Sequence, residues 1–125
     1  MLTHITLGAT DPDVSIAFYK AALGALGMEG TLSAEQRCYF AKDGLALIVA
    51  RPRDGQPATR ANGLTIGFRA ANPAEVDAFH AAGIAAGGTD EGAPGIRENA
   101  PGNAYGAYLL DPDGNKICAF CQVPE

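Results

Sequence analysis

The sequence predicts an α+β fold of two tandem βαβββ modules, with a mixed sheet curled around a concave pocket and the helices outside. Three observations carry this reading. One order of elements occurs twice, the two copies superpose at a fixed spacing, and each copy ends in a hairpin marked Asp-Gly. At a spacing of 61 residues His4 meets Thr65, Ile5 meets Ile66, Ala9 meets Ala70 and Pro12 meets Pro73. Ala17, Phe18, Ala21 and Ala25 then meet Ala78, Phe79, Ala82 and Ala86, which lie on one helical face. The hairpins superpose at 70 residues, Asp43 on Asp113, so the second copy carries nine extra residues. Coincidence in an alanine-rich chain does not explain caps, helical face and hairpins recurring in order.

The elements follow from local chemistry. Thr3 to Ala9 alternates as a strand does. Asp11 is suited to cap a helix, and Pro12 fits its first position, where the missing N–H costs nothing. That helix is expected to stop near Gly27, which tolerates a left-handed end. Strands are expected over 28–33, 36–42 and 45–50, the last two joined by Asp43-Gly44. Leu64 to Ala70 starts the second copy, and Asn72-Pro73 repeats the cap and proline before a helix to about Gly87. Short strands are expected near 88–91, 104–110 and 116–123, with Asp113-Gly114 turning the last pair. The extra residues fall in Gly92 to Asn103, read as a long loop, and long loops tend to be lids or binding loops.

Length and composition bound the rest. At 125 residues the chain fits one domain: module 1 about 1–53, a linker at 54–62 with the basic residues Arg51, Arg53 and Arg60 around it, and module 2 about 63–125. Apolar residues at 47% against 18% charged support a packed core rather than disorder. A net charge of -5 argues against a nucleic-acid partner. No apolar run approaches the ~20 residues of a membrane span, and the first residues lack a signal-peptide pattern. Three cysteines suit a reducing compartment, so a cytoplasmic protein is expected.

Two stretches resemble a known family. His4-Ile5-Thr6-Leu7-Gly8, then Ile16-Ala17-Phe18-Tyr19 and Leu23-Gly24, are similar to the first module of the glyoxalase/bleomycin-resistance/extradiol-dioxygenase superfamily, also called the vicinal oxygen chelate superfamily. Gly92-Ala93-Pro94-Gly95 and the run Tyr105 to Asn115, with its Asp-Pro-Asp-Gly turn, are similar to the second. The resemblance implies paired modules, often a homodimer, a small-molecule ligand in the trough, and a divalent metal held from four symmetric slots. Two slots lie on the first strand of each module and two on the last. The repeat places them at His4, Thr65, Ile48 and Cys118. Metal-dependent members fill these slots with histidine and glutamate. Ile48 has no donor atom and Thr65 is a poor one, so no metal or other cofactor is expected here.

Other residues are weighed individually. His4 is expected to face the pocket as a donor or catalytic base, and Tyr105, just after the loop, is expected as an aromatic pocket residue and catalytic group that holds an oxyanion with Arg69. Arg69 shares strand parity with Thr65 and can anchor an anion; Arg97, Asn99 and Asn103 sit on the loop. Cys118 and Cys121 spell C-x-x-C, but strand neighbours three apart face opposite ways, so no disulfide is expected. His80 is read as a surface residue on the outer helix. Three functions are consistent with this pattern. The first is a binding protein that holds a small molecule in the trough. The second is a glyoxalase-like lyase or isomerase of the lactoylglutathione-lyase type, acting on a thiol-conjugated or oxygenated substrate. The third and weakest is a dioxygenase, which needs iron ligands that these slots lack.

Overall fold

The computed structural model describes residues 1–122. Module 1 comprises β1 (His4–Gly8), α1 (Pro12–Gly24), β2 (Glu29–Ala34), β3 (Arg37–Lys42) and β4 (Leu45–Ala50). Module 2 comprises β5 (Thr65–Arg69), α2 (Pro73–Ala85), β6 (Thr89–Ile96), β7 (Ala104–Leu110) and β8 (Lys116–Gln122). Each module forms a four-stranded mixed sheet, ordered β1-β4-β3-β2 in sheet 1 and β5-β8-β7-β6 in sheet 2. The α+β tandem repeat is therefore present, and the register repeats as well. Thr6 pairs with Ile48 in sheet 1 just as Gly67 pairs with Cys118 in sheet 2.

The helix ends show why these segments fold alike. Asp11 accepts the Val14 amide hydrogen bond at 3.4 Å, and Asn72 accepts that of Glu75 at 3.0 Å. Each cap satisfies an amide that the first helical turn leaves unpaired. Both helices then close through a left-handed glycine: Gly27 at φ 81° and Gly87 at φ 100°. Beyond them the Met28 amide donates to the Leu23 carbonyl, and the Gly88 amide to that of Gly83. This is the six-to-one bond of a Schellman end. The regular helix stops three residues before Gly27 because the last turn tightens toward that bond. At Asp43-Gly44 both residues have positive φ, 54° and 86°, as a two-residue hairpin requires.

One expected boundary is corrected. Gly92 to Asn103 is not one long loop: β6 runs on through Ile96, leaving only 97–103 as connection. Register shifts on either side of Gly92 absorb the breaker residues. Pro94 is tolerated because β6 is an edge strand, where no neighbour needs its N–H.

Each helix covers one face of its own sheet, and α1 and α2 also pack on one another. Leu7, Phe40, Leu47 and Val49 join Phe18 and Tyr19 in a core continuous with Phe68, Phe79, Leu109 and Ile117. Burying each large side chain contributes about 1.5–3 kcal/mol. The seam is tight: a Cβ on Gly88 would lie 2.4 Å from the Phe18 ring. It also carries polar ties. The Tyr19 hydroxyl donates to the buried Asp111 carboxylate at 2.6 Å, and Ser15 donates to Asp113 at 3.1 Å. Burial, and then the charge and hydrogen bond of Asp111, raise the Tyr19 hydroxyl well above its usual pKa. Among the described residues no strand of one sheet pairs with a strand of the other, and each helix packs on one face of its sheet, leaving the opposite face without a helix.

Candidate functional site

Strand register assigns residues to these uncovered faces. On sheet 1, His4, Thr6 and Gly8 align with Ala46, Ile48 and Ala50, and Tyr39 lies across from Ile48. On sheet 2, Thr65, Gly67 and Arg69 align with Lys116, Cys118 and Phe120, while Tyr108 lies across from Cys118. Thus Tyr39 and Tyr108 hold equivalent places beside the second slot of each module. A spacing of 70 residues would pair Tyr39 with Leu109 instead. The equivalence was hidden because the second hairpin loop is longer: Lys42 pairs directly with Leu45, whereas Asp111 to Asn115 separate Leu110 from Lys116.

The four slots fall into two pairs, His4 and Ile48 on sheet 1 and Thr65 and Cys118 on sheet 2. His4 is exposed at the start of β1, its Nδ1 2.9 Å from the Thr3 hydroxyl. Ile48 is buried to 5% exposure and offers no donor atom. Cys118 is equally buried, and burial pushes its thiol up to about 11, so it is protonated at neutral pH. A metal needs the thiolate. Among the described residues no group of three or more His, Cys, Asp or Glu is placed to hold a metal ion. The donor set does not fit the divalent metal that the fold implies.

Tyr105 requires correction. Its hydroxyl donates to Asp77 of α2 at 2.6 Å, so it lies on the helix side of sheet 2 and not on the face with His4. Accepting that hydrogen, Asp77 raises the Tyr105 hydroxyl above its usual pKa. The aromatic pair on the uncovered face is Tyr108 and Phe120, whose ring centroids are 5.6 Å apart at 76°. Parity counted back from Cys118 along the hairpin would have found both.

Arg97 lies at the end of β6 with its guanidinium folded onto this face. Its Nη1 donates to the Gly95 carbonyl at 3.2 Å and its Nη2 to that of Ala93 at 2.6 Å. Its guanidinium carbon stands 5.7 Å from the Tyr108 ring centre, and the Lys116 ammonium stands 4.7 Å from it. Sheet 1 has a counterpart: Arg37 lies 5.5 Å from the Tyr39 ring centre and donates to its hydroxyl at 3.4 Å. That contact lowers the Tyr39 hydroxyl below its usual pKa. Arg69 is exposed at the end of β5, where Gly67, Phe120 and Gln122 join it around an opening of about 580 Å³. Thr65 and Lys116 border a second opening, of about 320 Å³. Asn103 is exposed on the 97–103 connection, as is Asn99.

The cysteines behave as strand geometry predicts. The Cys118 sulfur fills the space beside Gly67, Cys121 joins the core on the helix side, and both are free, as is Cys38. His80 is more than a surface residue: its Nε2 lies 2.8 Å from Asp90, tying α2 to β6 and lowering the Asp90 carboxyl.

Comparison with known proteins agrees with this architecture. The glyoxalase-like domain family matches residues 4–120. A glyoxalase/bleomycin resistance protein from Albidiferax ferrireducens T118 is 48% identical, covers 96% of this chain and 98% of its own, and superposes with a TM-score of 0.90. A glyoxalase-related enzyme from Fulvimarina pelagi shares the fold at 20% identity (TM-score 0.75, covering 96% of this chain and 86% of that one). So does a lactoylglutathione lyase from Agrobacterium tumefaciens at 23% (TM-score 0.65, 96% and 92%). No curated protein matches the chain. No helix among the described residues is long and apolar enough to cross a membrane. The repeat, the paired sheets and the match over nearly the whole chain establish that this protein belongs to the glyoxalase-like domain family, within the glyoxalase/bleomycin resistance/dioxygenase superfamily.

Proposed function

We propose that the protein binds a small molecule on the uncovered sheet faces without using the metal site of its superfamily. The observation that carries this is the slot set His4, Ile48, Thr65 and Cys118, where one position has no donor and the thiol stays protonated. The same slots disfavour dioxygenase chemistry, which needs iron ligands. A lyase or isomerase would rely on His4 as base. Among the described residues that imidazole has only a threonine hydroxyl beside it, with no carboxylate to orient it and Tyr105 on the helix side of sheet 2.

The working form is a homodimer. Each chain leaves two sheet faces and the edge strands β1 and β5 open, and a second copy offers a matching surface. The protein acts in the cytoplasm, which its three free thiols support.

Sedimentation of the purified protein should report twice the 12.8 kDa chain mass. Thermal-shift screening against glutathione conjugates, aromatic acids and glycopeptides should find a stabilising compound that is recovered unchanged after incubation. A hemithioacetal or glutathione conjugate turned over by wild type and spared by His4→Ala would establish the lyase reading instead.

A further inference from the structure

The uncovered face of sheet 2 has a chemistry of its own. Three glycines underlie it. A Cβ on Gly106 would lie 2.4 Å from the Phe120 ring, and one on Gly92 would lie 3.1 Å from both Arg97 Nη2 and the Tyr108 ring. A Cβ on Gly95 would lie 3.4 Å from Arg97 Nη1. Glycine weakens a strand interior, and its recurrence marks close approach by another group. Here it lets Phe120, Tyr108 and Arg97 lie down along the sheet.

The cations on this face lack direct ion pairs. The chain has 14 acidic residues against nine basic ones. Yet among the described residues the one ion pair is His80–Asp90, on the helix side of the sheet. The Lys116 ammonium makes no hydrogen bond among them, and the Arg97 guanidinium bonds only backbone carbonyls, leaving three of its five N–H groups free. Glu91 and Arg60 border the same opening as Lys116, and Glu91 does not pair with it. Two half-buried cations thus flank one tyrosine ring with neither held in a direct ion pair, the Asp90 carboxylate reaching Arg97 only through space.

From this geometry we infer that the ligand is an anion carrying a planar unsaturated ring. The ring lies against Tyr108 and Phe120, and the acid group is drawn to Lys116 and Arg97. Ring stacking recognises the planar part, and charge-assisted hydrogen bonds from ammonium and guanidinium recognise the acid. A cationic ligand is repelled by the same groups. The inference rests on the proposal that this face binds a small molecule, and adds the class.

Calorimetric titration of the full chain with benzoate, benzamide, benzylamine and acetate tests it. Benzoate should bind saturably, and the other three should bind at least about tenfold more weakly. Tyr108→Leu and Lys116→Met should each weaken benzoate binding at least about tenfold while Lys116→Arg retains it, with far-ultraviolet circular dichroism showing all three folded. Benzamide or benzylamine binding as tightly as benzoate, and lost in Tyr108→Leu, would overturn the ligand class and leave the site standing. Benzoate binding that neither Tyr108→Leu nor Lys116→Met changes would overturn both, and a failure of benzoate to bind would overturn the class.

Discussion

Cys118 carries much of the proposal that this protein works without a metal. It occupies one of the four slots that the resemblance implies, its sulfur fills the space beside Gly67, and burial raises the thiol from 9.0 to about 11. The folded state therefore favours the protonated form. The associated stability is present below pH 9.0 and is lost as pH climbs toward 11. Alkylation by iodoacetamide, followed by peptide mass spectrometry, should give Cys118 a rate that rises with a midpoint near pH 11. A midpoint at or below that of an ordinary thiol would show a reactive thiolate and restore Cys118 as nucleophile or ligand. The equivalence of β1 with β5 and of β4 with β8 was legible in the sequence through the 61- and 70-residue spacings, and the strand register reproduces both. Tyr105 was misread because its place after the loop was weighed above its parity. Residues two apart share a face, and Tyr108, three beyond Tyr105, looks the other way.

Among the elements, the helices were the most legible. Their caps, prolines and closing glycines are local signals, and both helices begin at the expected proline. The β6 strand was the least legible. Gly92, Pro94 and Gly95 read as loop residues, and only the edge position and two register shifts let them pair with β7. Its glycines matter for the site as much as for the strand. Gly106→Ala should force the Phe120 ring off the sheet, since the new methyl would lie 2.4 Å from it. Such overpacking costs about 1–3 kcal/mol, readable as a lower urea midpoint. Unchanged stability would mean that Phe120 does not rest where the structure places it.

For the whole molecule, the seam between modules follows from packing that no local pattern announces. Phe18 was marked by the repeat as a helix-face residue, and Tyr19 stands next to it in the sequence. What they touch, Gly83, Gly88 and Asp111 of module 2, depends on long-range contacts. The same holds for the sheets: the sequence indicates two bare faces but not that the helices would pack together and leave the sheets unjoined within one chain. The central claim is that this scaffold works without the metal of its superfamily, and metal content tests it most directly. Protein purified without chelator and analysed by inductively coupled plasma mass spectrometry should carry divalent metal well below one ion per chain. Added Zn²⁺, Ni²⁺ or Mn²⁺ should leave its melting temperature unchanged. A stoichiometric divalent ion that disappears in His4→Ala would contradict the account.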